Sequence, residues 1–142
     1  MAFNFKEDLA YLGGAAQATA TGTTAASSPI FDISGYEGAV GIQTNVAVTS
    51  TGSFLAAYAG TATASLSQIA GTNCTALTSA LMLHVHRPPS RYIRFNTILG
   101  TSGQLGPLLV FGVGPRAKPT TNSTLLTAKF VNNPATGTAT SS

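Results

Sequence analysis

Two histidines and a cluster of arginines are the side chains with the clearest chemical reach in this sequence. His84 and His86 form His-x-His, and on a strand that spacing projects both imidazoles from one face, close enough to share a metal ion. A metal centre needs more ligands than two. A jelly-roll metal site would carry a glutamate soon after the pair and a third histidine later, and neither is present. All four carboxylates, Glu7, Asp8, Asp32 and Glu37, precede residue 38, and Cys74 is the one cysteine. No metal is therefore expected, and the histidines read as surface or interface groups. Cys74 reads as a small buried apolar side chain and not as a nucleophile, with no disulfide possible inside the chain.

Acid–base catalysis needs two titratable groups in environments that separate their pKa values, and a nucleophile needs a base beside it. A fold could still carry Asp32 or Glu37 to His84, but the stock of such groups is very small. The glycine-rich stretches lack the lysine and Ser/Thr of a phosphate loop. Gly100-Thr101-Ser102-Gly103 instead reads as a hairpin turn between two strands. The expectation is a protein that is not an enzyme and holds no cofactor.

The richest segment runs from 84 to 95. Pro88-Pro89 forces an extended link, and Arg91-Tyr92-Ile93-Arg94 then opens a strand. Alternation puts Arg91, Ile93 and Phe95 on one face and Tyr92 and Arg94 on the other. Arginine with tyrosine is the pairing favoured where one protein anchors on another. Tyr92 or Phe95 amid Arg87, Arg91 and Arg94 could also stack single-stranded nucleic acid, but so few cations make a weak electrostatic groove.

These side chains need elements to hold them. Phe5, Leu9 and Leu12 recur at spacings of four and three, Asn4 can cap with Glu7 three residues on, and Gly13-Gly14 ends the run. A short helical arm over 5–12 is predicted. Its stripe of Phe3, Phe5, Leu9 and Leu12 must dock either on its own sandwich or on a neighbouring subunit. Residues 15–28 lack periodicity and read as an extended connector. From 39 to 48 Val40, Ile42, Thr44, Val46 and Val48 alternate with Ala39, Gly41, Gln43, Asn45 and Ala47, the period of two of a half-buried strand. Further strands are predicted at 54–58, 65–69, 80–86, 92–99, 108–113 and 125–131, separated by Gly, Pro, Asn, Ser and Thr. The result is an antiparallel β-sandwich or barrel, a jelly roll among them, over 29–131, with an arm and linker over 1–28 and a flexible tail over 132–142.

Charge supplies the remaining clue. Only 8% of the 142 residues are charged, while 44% are hydrophobic. A free monomer ordinarily carries about 25–35% charged residues at its surface, so a chain this poor in charge is expected to be covered by partners. No apolar run of about 20 residues is present to cross a bilayer as a helix, and charges in the first eight residues argue against a secretion signal. Between Glu37 and Arg87 there is no charge, and every charge from Arg87 onward is basic. A net charge of +3 suits an acidic protein surface as well as nucleic acid.

Arg87-Pro88, Arg91-Tyr92-Ile93-Arg94, a glycine-containing turn, the apolar Leu108-Leu109-Val110-Phe111-Gly112, and Gly114-Pro115-Arg116-Ala117-Lys118-Pro119 together resemble the small head proteins of tailed bacteriophages. The resemblance covers residues 84–119. It implies a jelly-roll-type cement or decoration protein, a homodimer or trimer on the outer surface of the virion's capsid, bridging subunits of the major capsid protein. Arg87, Arg91, Tyr92, Arg94 and Arg116 are the expected capsid contacts. A tail or fibre protein is the alternative within the same structural class, and a small single-stranded nucleic-acid-binding barrel is the alternative outside it.

Overall fold

The computed structural model describes residues 8–16, 18–21, 26–48, 54–75, 78–98 and 102–116. Within them the chain forms two antiparallel sheets of six strands. The first sheet contains β1 (Leu9–Ala15), β2 (Ala18–Thr21), β5 (Tyr36–Val48), β9 (Thr78–His86), β11 (Ser102–Leu105) and β12 (Leu108–Pro115). The second contains β3 (Ala26–Ser27), β4 (Phe31–Asp32), β6 (Phe54–Ala62), β7 (Ser65–Gln68), β8 (Cys74–Thr75) and β10 (Tyr92–Ile98). The long β5 organises the first sheet, pairing with β12 and then β11 along one edge and with β9 along the other. In the second, β10 lies between β6 on one side and the short β3 and β4 on the other. The predicted β-sandwich is the observed architecture.

The core lies between the sheets. Leu55 and Ala57 of β6 and Ile93 and Phe95 of β10 meet Ala39 of β5, Leu81 and Val85 of β9, and Leu108 and Val110 of β12. Phe95 is the largest of the fully buried side chains. Its ring is accommodated by Gly41 on the facing sheet, where an added Cβ would fall 2.8 Å from Phe95 Cδ1. Gly41 thus makes the cup into which the ring fits, and larger residues there would overpack the core.

One polar bridge crosses this apolar layer. Gln43 of β5 is fully buried, and its amide donates to the Gly106 carbonyl while its Oε1 accepts from the hydroxyl of Thr97 on β10. Buried amides carry a large desolvation cost unless bonded, so the bridge fixes which rungs of the two sheets face each other.

Register decides which half of β5 the core receives. Ala39, Gly41 and Gln43 point inward, because Gln43 is paired with buried Leu81 and Leu108. Val40 and Ile42 point outward, opposite Phe111 and Leu109 on one side and exposed His84 and Met82 on the other. The bulkier half of the alternating strand therefore faces away from the sandwich interior. The other sheet already supplies the Phe95 ring, and small residues are what leave room for it.

Several expectations are corrected. Leu9 and Leu12 lie on a strand and not on a helix, with helical backbone among the described residues only at Asp8. Strand pairing with β12 supplies long-range hydrogen bonds that a short isolated helix lacks. A bulge between Tyr11 and Gly13 then turns Leu12 onto the protein's own core. The stripe is thereby broken up. Of the connector at 15–28, Ala15 belongs to β1, and β2 and β3 are sheet strands. Ser102 and Gly103 are part of β11 and not of a hairpin turn; β10 and β11 belong to different sheets, so the chain crosses the sandwich between them. Phe3 and Phe5, the strand over 125–131 and the tail over 132–142 lie outside the described residues.

Candidate functional site

Two features of the exterior stand out, and the longer is the outward face of the first sheet. Cross-strand partners share a face, so the register gives its rows directly. Tyr11, Phe111, Val40 and His84 form one row; Leu9, Val113, Gly38 and His86 form a second; Gly14, Leu109, Ile42 and Met82 form a third. None of these residues is Asp, Glu, Lys or Arg. Tyr11 and Phe111 pack as tilted rings 5.4 Å apart. Met82, at the β9 edge, is 67% exposed. His84 and His86 sit beside it, with ring centroids 6.2 Å apart on one face as their spacing predicts. Among the described residues no group of three or more His, Cys, Asp and Glu is placed to hold a metal ion.

The second feature is a cleft of about 440 Å³ lined by Tyr36, Glu37, Arg87, Pro88, Arg91 and Arg116, among others. Its arginines come from two distant stretches of the chain, 87–91 and 116, and one short segment collects them. The Arg87 N–H donates to the Glu37 carbonyl at 2.7 Å, the Arg116 N–H to the Gly35 carbonyl at 2.9 Å, and the Ile33 N–H to the Arg91 carbonyl at 2.9 Å. Residues 33–37, the link after β4 and the first two residues of β5, are thus the hub on which the cleft is built. Ile33 anchors the hub from below, since its side chain belongs to the core.

The three arginines are not equivalent. Arg91 donates through Nε and one Nη to a single oxygen of Asp32, at 2.9 and 2.6 Å, and its guanidinium lies over the Tyr92 ring at 5.2 Å. The other Asp32 oxygen accepts the Ser34 N–H at 3.0 Å. The Arg91 guanidinium first, and the Ser34 N–H second, hold the Asp32 carboxyl well below the usual carboxylate range, and Asp32 in turn raises the Arg91 pKa. Both side chains are solvent-exposed, so the pair contributes little to stability and is screened by salt. Arg87 and Arg116 have no carboxylate partner among the described residues. Arg87 also adopts φ 51°, a left-handed conformation that an arginine reaches only at a cost.

Of the predicted contact residues, Arg87, Arg91 and Arg116 converge at the cleft and Tyr92 borders it through Arg91. Arg94 does not join them. It lies on the outward face of the second sheet opposite Tyr58, where its buried Nε has no hydrogen-bond partner among the described residues. Nearby on β10, the buried Asn96 Oδ1 is also unpartnered. Leu9 is on the outward face of the first sheet, and Leu12 packs on the core. Cys74 is half-buried against the core, as a small apolar side chain would be. Sequence reasoning missed Asp32, Glu37 and the hub. The charges were in view, but their nearness to arginines fifty or more positions away was not.

Comparison with protein-family models, curated proteins and solved structures gives no match to this chain.

Proposed function

We propose that this protein is a structural component of a bacteriophage particle, a cement or decoration protein that binds the outer surface of the capsid and bridges major capsid protein subunits. The observation that carries this reading is the uncharged outward face of the first sheet, rows of Leu, Val, Ile, Tyr, Phe and Met running across four strands, in which Val40 is buried, the other large apolar side chains are half-buried and Met82 at the edge is exposed. A sandwich needs one apolar face per sheet to close its core, and the inward faces already do that here. A second apolar face suits a surface that is covered in the working assembly. The resemblance of residues 84–119 to small phage head proteins points the same way. Function then consists of buried area, with a homo-oligomer multiplying modest contacts into firm attachment.

Cosedimentation with purified phage heads tests the reading. Wild-type protein is expected to pellet with the heads, and Met82→Lys, which charges the exposed edge of the apolar face, is expected to pellet at least about tenfold less while keeping its thermal midpoint. Wild-type protein that stays in the supernatant at every head concentration defeats the proposal.

A further inference from the structure

We infer that the cleft at the 33–37 hub is a binding site for a carboxylate side chain, presented by an acidic segment of a partner protein. The argument starts from charge. Arg87, Arg91 and Arg116 bring three positive charges, and Glu37 in the wall and Asp32 on Arg91 bring two negative ones. One positive charge is left over. Its source is Arg87 or Arg116, since Asp32 already occupies Nε and one Nη of Arg91. A single carboxylate matches that remainder, whereas a phosphate dianion would bring a second negative charge close to Glu37 and Asp32.

Shape and backbone add independent support. The cleft is open to solvent and has room for a side chain, and main-chain hydrogen bonds fix the backbone from which its arginines project. The left-handed backbone at Arg87 is the described residues' only non-glycine positive φ, and it falls within this site. Strain of this kind persists where surrounding structure enforces it, and here the Glu37 carbonyl holds the Arg87 N–H against the extended backbone that Pro88 favours for the residue before it. Gly114 backs Glu37: at φ 64° it lets the Glu37 side chain lie against the backbone, and a Cβ there would sit 3.0 Å from the Glu37 carboxylate. Arg116 follows two residues on.

A nucleic-acid strand fits less well. Phosphodiesters need cations spaced along a track, and the next arginine, Arg94, is on the outward face of the second sheet with its Nε buried. The inference does not require the partner to be a capsid, so its test uses no phage material and its failure leaves the apolar-face reading untouched.

Fluorescence anisotropy with the full chain and a labelled hexaglutamate peptide reads the site, with hexaglutamine and a ten-nucleotide single-stranded DNA as comparison probes. Saturable binding of hexaglutamate alone is expected. Arg116→Gln and Arg87→Gln should each weaken it by about tenfold or more, and Arg94→Gln by less than twofold. Arg87→Gly adds a readout that a merely structural role would not give: relief of the left-handed strain should raise the thermal midpoint while binding falls. Equal losses in Arg94→Gln and Arg116→Gln would reduce the effect to overall charge and overturn the inference. Tighter binding of the oligonucleotide, or no peptide binding by the wild type, would overturn it as well.

Discussion

The two sheets share one core but turn opposite kinds of surface outward. Beyond the first sheet lie Tyr11, Phe111, Val40, Leu109, Ile42 and Met82 in paired rows. On the second, the corresponding cross-strand row is Gln68, Tyr58 and Arg94, with Tyr92 beside Asp32 in the next. Inward residues answer to packing between the layers, so the outward residues are where the layers are free to differ. That freedom separates surface chemistry from fold, because charge can be added to one exterior or the other without touching the Phe95 layer.

The comparison is broken most completely by removing what the sheets have in common. Phe95→Ala empties the Gly41 cup and is expected to cost about 3–5 kcal/mol, measured by denaturant unfolding, with both exteriors lost together. Thr97→Val is milder. It keeps the volume but leaves Gln43 Oε1 without its hydroxyl donor, for an expected loss of about 1–3 kcal/mol by the same measurement. A charge on each exterior sharpens the contrast further. Gln68→Lys on the second sheet should change stability by no more than about 0.5 kcal/mol and leave head binding as in wild type, unlike Met82→Lys on the first.

The smallest expected effect is electrostatic. Asp32 has its folded-state pKa lowered by Arg91 and Ser34, so its contribution is present above the unfolded carboxylate value and fades as the pH falls below about 4. Thermal midpoints should therefore decline slightly less on acidification in Asp32→Asn than in wild type at low salt, and the difference should shrink as salt is added.

What could be read from the residues follows from how far each signal reaches. Strand alternation is local, and the period of two through 39–48 and the breaks around it predicted the sandwich. The face of β5 that turns inward was not local: it depends on Phe95, more than fifty positions away, needing Gly41. At the N-terminus the three-and-four spacing of Phe5, Leu9 and Leu12 mimicked a helix, while pairing of Leu9–Ala15 with β12 comes from a hundred residues later. The proximity of Arg87 and Arg91 around the Pro88-Pro89 link was legible because these residues are adjacent in sequence. The pairing of Arg91 with Asp32 across 59 positions, and the hub that aligns Arg87 and Arg116, belong to the tertiary structure alone.

The hub also dictates when the cleft can exist. Its three main-chain bonds join loops that meet only after β4, β5, β9, β10 and β12 have all found their places. A chain still emerging from the ribosome, or one that has lost a single one of those strands, offers scattered guanidiniums and no receptor. Binding of the kind inferred for this notch would therefore select finished molecules, because only a completely folded copy presents it.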